Sequence, residues 1–119
     1  GKRMFADIYD DPLEFVCPTC GSEYLHQTTV AIWGRKAGED SQDMVHVFDH
    51  TNGVLPANHP IIKAALEAGN PSLRRDGLTI ALHGECGHVS ALSIFQVKGR
   101  TQMRLLPAAG KSIYVEPGE

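Results

Sequence analysis

Two short stretches constrain this chain more than anything else in it: Cys17-Pro18-Thr19-Cys20-Gly21 and His83-Gly84-Glu85-Cys86-Gly87-His88. Each reads as ligand, two residues, ligand, glycine. A turn of that form points two side chains at one cation, and its backbone N–H groups face the ligating atoms. The glycine after the second ligand suits the reversal, because it takes positive φ without a Cβ penalty. Two such turns supply Cys17, Cys20, His83 and Cys86, a tetrahedral donor set that structural Zn2+ favours. The chain holds 3 cysteines, and all of them fall in these turns. A fold that satisfies this sequence must bring the two stretches together.

Four alternatives bear on those residues. A Cys-x-x-Cys pair can be a redox couple, but such a motif expects a helix after it, and here Gly21 and a β-rich run follow. For the fourth ligand, the symmetry of the turns selects His83. His88, two residues after Cys86, is the rival, with His26, His46 and His50 behind it. The triplet His83-Gly84-Glu85 imitates the H-x-E of zinc deaminases, yet the Cys-x-x-Cys lies upstream of it rather than downstream. Four protein ligands also leave no position for an activated water, so no catalytic residue is expected and Glu85 reads as an exposed residue at the tip of its turn. His46, Asp49, His50 and His59 form no second centre: in a strand His46 and Asp49 face opposite sides.

The segments around the turns are mostly β. The run from Tyr24 to Trp33 is rich in β-branched and aromatic residues; alternation puts Val30 and Ile32 on one face, and Leu25, Ala31 and Trp33 on the other. Residues 34–43 are polar and read as an exposed connection. Met44 to Asp49 alternates Met44, His46 and Phe48 against Val45 and Val47, as a returning strand does. After a turn at Thr51-Asn52-Gly53, the spacing predicts one short helix, capped by Asn58 or His59, with Pro60 in its first turn, an apolar stripe of Ile61, Ile62, Ala65 and Leu66, and Gly69 as its stop. Leu78 to Leu82 is a strand that delivers His83. Val89 to Val97 and Thr101 to Leu106 are two more, with Leu92 and Ile94, then Met103 and Leu105, on their own faces. Short strands are also expected at 14–16 and 113–115.

These readings combine into a mostly β, α+β fold with one short helix: an elaborated zinc ribbon, its two knuckles on antiparallel strands and closed by one structural zinc. The 119 residues form a single domain, with an N-terminal arm (1–13), an insert between the knuckles (34–77) and a C-terminal tail (107–119). Through Cys17, Cys20, His83 and Cys86 the chain resembles zinc-ribbon proteins, with His83 where a cysteine is more usual. Arg74-Arg75-Asp76-Gly77, the second knuckle and Gln96-Val97-Lys98-Gly99 are similar to the closing half of small bacterial and phage zinc-ribbon proteins. That resemblance implies no activity.

Function narrows by charge. The formal net charge is -3, so composition exerts no general pull toward nucleic acid. Arg74, Arg75, Lys98, Arg100 and Arg104 could build a local phosphate-binding face, but acidic residues in the first 50 positions balance them, and a solvated mixed surface is the better explanation. The apolar runs are far too short to span a membrane, and no apolar leader follows the N-terminus. Cysteines in metal-ligand spacing suit a reducing compartment, so a cytoplasmic protein is expected. The reading is a non-enzymatic zinc-binding module that acts through a protein partner, with a nucleic-acid-binding ribbon as the alternative and a zinc enzyme behind both.

Overall fold

The computed structural model of the chain describes residues 12–35, 43–73 and 75–108. Six strands and one helix follow in order: β1 (Leu25–Arg35), β2 (Asp43–Asp49), β3 (Gly53–Val54), α1 (Pro60–Ala68), β4 (Gly77–Gly84), β5 (Val89–Val97) and β6 (Arg100–Pro107). The strands make one antiparallel sheet in the order β3-β2-β1-β4-β5-β6. The described residues are thus mostly β with a single short helix. The strand expected at 14–16 does not form; that stretch is irregular. The strand expected at 113–115, the arm up to residue 11, the tail from 109 and the middle of the 34–43 connection lie outside the described residues.

The segment between the knuckles widens the sheet rather than looping away from it. β2 folds back on β1, with Ala31 opposite Val47, while β4 takes the other side of β1, with Ala31 opposite Thr79. Helix α1 then lies on one face. His59 caps it, its Nδ1 accepting from the Ile61 N–H at 3.1 Å, Pro60 opens it, and Gly69 closes it in the left-handed region at φ 87°. Ala65 faces inward and joins Ala31, Trp33, Val47, Leu55 and Ala81 in the buried cluster. Trp33 alone removes on the order of 200 Å² from water, about 5 kcal/mol of transfer free energy.

One residue changes the face assignment. The β1–β4 register shifts between Gln27 and Thr29, so Thr28 is an extra, bulged residue. Its groups are satisfied outside the ladder: the hydroxyl donates to the Ala81 carbonyl at 3.2 Å, and its carbonyl accepts from the His50 N–H at 2.9 Å. Residues paired across an antiparallel ladder point to the same side. Leu25, opposite Gly84, and Gln27, opposite Leu82, therefore share a face with Ile32, not with Ala31 and Trp33 as unbroken alternation requires. Past the bulge the alternation holds: Ala31 and Trp33 are buried under the helix, while Ile32 looks the other way.

Candidate metal centre

The bulged start of β1 is what joins the knuckles. Leu25 pairs with Gly84, the last residue of β4, and the Glu85 N–H donates to the Tyr24 carbonyl at 3.0 Å. The segment just before β1 and the turn just after β4 are thereby held side by side. In the first turn, the Gly21 N–H donates to the Cys17 carbonyl and the Cys17 N–H to the Ser22 carbonyl, both at 2.8 Å, with Gly21 at φ 82°. In the second, the Gly84 N–H donates to the His88 carbonyl and the Gly87 N–H to the Gly84 carbonyl, both at 2.9 Å, with Gly87 at φ 88°. This is a three-residue hairpin, a turn closed by a left-handed glycine, and it carries β4 directly into β5.

Cys17, Cys20, Cys86 and His88 converge here: their ligating atoms all lie within 4.8 Å of one another. Cys17 Sγ stands 3.7 Å from His88 Nδ1. Donors at the corners of a zinc tetrahedron, with Zn–S near 2.3 Å and Zn–N near 2.0 Å, are separated by roughly 3.6–3.8 Å, so that spacing suits one shared ion. The donor set fits as well: three sulfurs and one imidazole, with no carboxylate in the group. None of the three cysteines is in a disulfide. The four side chains can hold one metal ion.

The fourth member of the group is His88, whereas His83, which the symmetry of the turns selects, is not in it. His83 belongs to the β4 ladder, opposite His26 on one side and Val89 on the other. The strand runs one residue beyond it, so the knuckle begins at Gly84 rather than at His83. Position 84 must also be bare. A methyl group there would stand 2.7 Å from Cys86 Sγ and 3.3 Å from the His88 carbonyl oxygen. Cys86 folds over Gly84, and His88, one residue past the left-handed glycine, comes round to the same side. The sequence held that signal in Gly84 and Gly87 flanking Cys86, which mark a tight hairpin rather than a copy of the first turn.

Electrostatics divide the two thiols of the first turn. Burial pushes Cys17 up, but the backbone N–H groups of Cys20 and Thr19 and the Cys20 and Cys86 side chains favour its thiolate, and together they lower it to about 6. Cys20 is raised: the Ser22 N–H favours its thiolate, but Cys86, desolvation and the neighbouring Cys17 outweigh that help. Several thiols in one small volume cannot all ionise cheaply without a cation among them.

Other candidate residues stand apart. Glu85 is exposed at the hairpin tip, its Oε2 3.6 Å from His26 Nε2. His59 caps the helix, and Asp49 is buried with its Oδ2 accepting from the Asn52 backbone and side chain at 3.0 and 2.7 Å. Arg75, Lys98, Arg100 and Arg104 are exposed, Arg104 lying over the Phe95 ring at 5.0 Å; Arg74 lies outside the described residues. Among the described residues no helix is long and apolar enough to cross a membrane. No family model matches the chain, and neither the curated proteins nor the solved structures contain a significant match to it.

Proposed function

We propose that the protein is a non-enzymatic, zinc-binding module, an elaborated zinc ribbon whose single ion is structural and which works by holding a protein partner. The observation that carries this reading is the convergence of Cys17, Cys20, Cys86 and His88 from two turns far apart in the chain. Four protein donors complete a zinc tetrahedron and leave no position for substrate or an activated water. The ion then ties the segment before β1 to the β4–β5 hairpin, a cross-link in a chain whose helix-covered core lies elsewhere on the sheet. Three free cysteines of this kind suit a reducing, cytoplasmic setting. The β6 edge of the described sheet, or the β2–α1 segment between the knuckles, is the surface through which a partner is held.

Metal analysis of the purified protein tests the reading, with cobalt substitution to report the ligands. One ion per chain and a spectrum of three thiolates and one imidazole are expected. An exchangeable water that responds to small anions would return the enzyme reading. A second reading, nucleic-acid binding, draws on Arg100 and Arg104, both exposed and both on edge strand β6. Titration of DNA and RNA at two salt concentrations separates it, since phosphate recognition weakens steeply with salt.

A further inference from the structure

Helix α1 lies on one face of the sheet, and no other described helix lies on the opposite face. On the face away from α1, directly opposed residues form two long rows. One runs His46, Ile32, Leu78, Ile94, Met103; the other runs Val54, Phe48, Val30, Ile80, Leu92, Leu105. Neither row holds an Asp, Glu, Lys or Arg, and Asp76 stands at the rim of a shallow apolar hollow over Ile32, Leu78 and Ile94. Ile32 is 51 % exposed, Phe48 49 % and Val54 71 %. The helix-covered face is different: its rows carry Asp49 and Arg104. A contiguous uncharged surface of this kind is unusual for a monomer.

We propose that this face is an interface between two copies of the chain, packed sheet on sheet about a two-fold axis. Three features select a second copy. A two-fold interface sets a patch against itself, so charges within it would meet their own kind; the two rows carry none, and Asp76 lies beside them rather than in them. Two sheets of identical twist also stack face to face without a gap, at a spacing near 10 Å. Area is the third. Strands about 4.8 Å apart and about seven residues long give a footprint of roughly 25 by 23 Å, within which Ile32, Phe48 and Val54 are exposed and Leu92 is buried. Two copies would bury on the order of 1,000 Å² in total, the least that a specific interface needs.

Sedimentation equilibrium of the full chain tests this. The expected species has twice the 12.9 kDa chain mass at tens of micromolar. Ile32→Lys should weaken association at least about 100-fold, because the two-fold axis brings two like charges together in an apolar interface. Its far-ultraviolet dichroism and metal content should stay unchanged, since Ile32 is not part of the helix-covered core. Mixing Ile32→Lys with Ile32→Glu should restore a pair. The wild-type chain gives an independent readout should a variant misfold: contacts between the Ile32, Ile80 and Ile94 methyl groups of differently labelled copies. A wild-type monomer at this concentration, a folded Ile32→Lys variant that still pairs, or a dimer without those methyl contacts would overturn the proposal.

Discussion

The two cysteine-bearing turns look like copies in the sequence and are built differently. The first is a loop ahead of a strand: Cys17 supplies a donor at the first position, buried, and Cys20 supplies the second, exposed. The other is a hairpin inside the sheet, where the residue that closes the ladder is Gly84 and both donors, Cys86 and His88, come after it. A turn free of the ladder can place a ligand on the residue that starts it. A turn locked between β4 and β5 has its first residue fixed by strand pairing, so its ligands move toward the far side. The lesson concerns register: ligand spacing in a sequence counts residues, but a β-ladder decides which of them are free to point at an ion.

The most damaging test of that contrast removes donors. Cys20→Ala should abolish tight metal binding, since a structural ion needs all four corners. Hydrogen exchange should then accelerate at Leu25, Gly84 and Val89, where the sheet meets the knuckles, while amides around Trp33 keep their protection, because the cluster under α1 shares no residue with the site. Loss of protection throughout would mean that the ion organises the whole sheet. Between the histidines, His88→Ala should lower metal affinity at least about 100-fold and His83→Ala by less than about tenfold, measured by competition with a chelator. The reverse order would restore the symmetric assignment and sink the distinction between the two turns.

Glycines give a smaller effect. Gly84→Ala would set a methyl group 2.7 Å from Cys86 Sγ, so the thiolate must shift, and metal affinity should fall roughly 10- to 100-fold, as it does when the support of a ligand is disturbed. Gly21→Ala meets no atom within 4 Å and keeps the donors in place. Its cost comes from φ 82°, about 1 kcal/mol of stability with little change in affinity. Chelator competition and denaturant unfolding on both variants separate clearance from backbone strain. Equal losses of affinity in the two would mean that the turns hold the ion in the same way after all.

Much of this architecture was legible in residue patterns. The helix from Pro60 to Ala68, its His59 cap and Gly69 stop follow from local chemistry, and the strands at 44–49 and 89–97 follow from alternation alone. Three of the four clustered donors were marked by the rarity of cysteine. What alternation could not show was the bulge at Thr28, because an extra residue looks the same in the sequence until a partner strand is laid beside it. The two-residue β3, too short to carry a pattern, was hidden for a similar reason. His88 was visible as a candidate, but choosing it required knowing that β4 runs through His83.

The gentlest test uses protons. In the metal-free protein Cys17 is lowered to about 6 while Cys20 is raised above its ordinary value, so the two thiols of one turn should ionise in order, Cys17 first. Cysteine Cβ chemical shifts followed against pH report each midpoint, and Cys20 ionising before Cys17 would refute the electrostatic reading. Linkage follows from the signs. A thiol ordinarily near 9 in the unfolded chain and near 6 in the fold stabilises the fold fully above pH 9, and that contribution is lost as pH falls through about 6. Cys20 works in the opposite sense: its contribution is present below pH 9 and is lost as pH climbs through its raised value. Metal capture inherits the same asymmetry. At pH 7.5, roughly midway through the window between about 6 and 9, the ion displaces a proton from Cys20 but almost none from Cys17. Cysteine Cβ shifts of the metal-free wild-type chain at that pH should therefore show Cys17 as thiolate and Cys20 as thiol. Two thiols in the same state would mean that the first turn treats its donors alike.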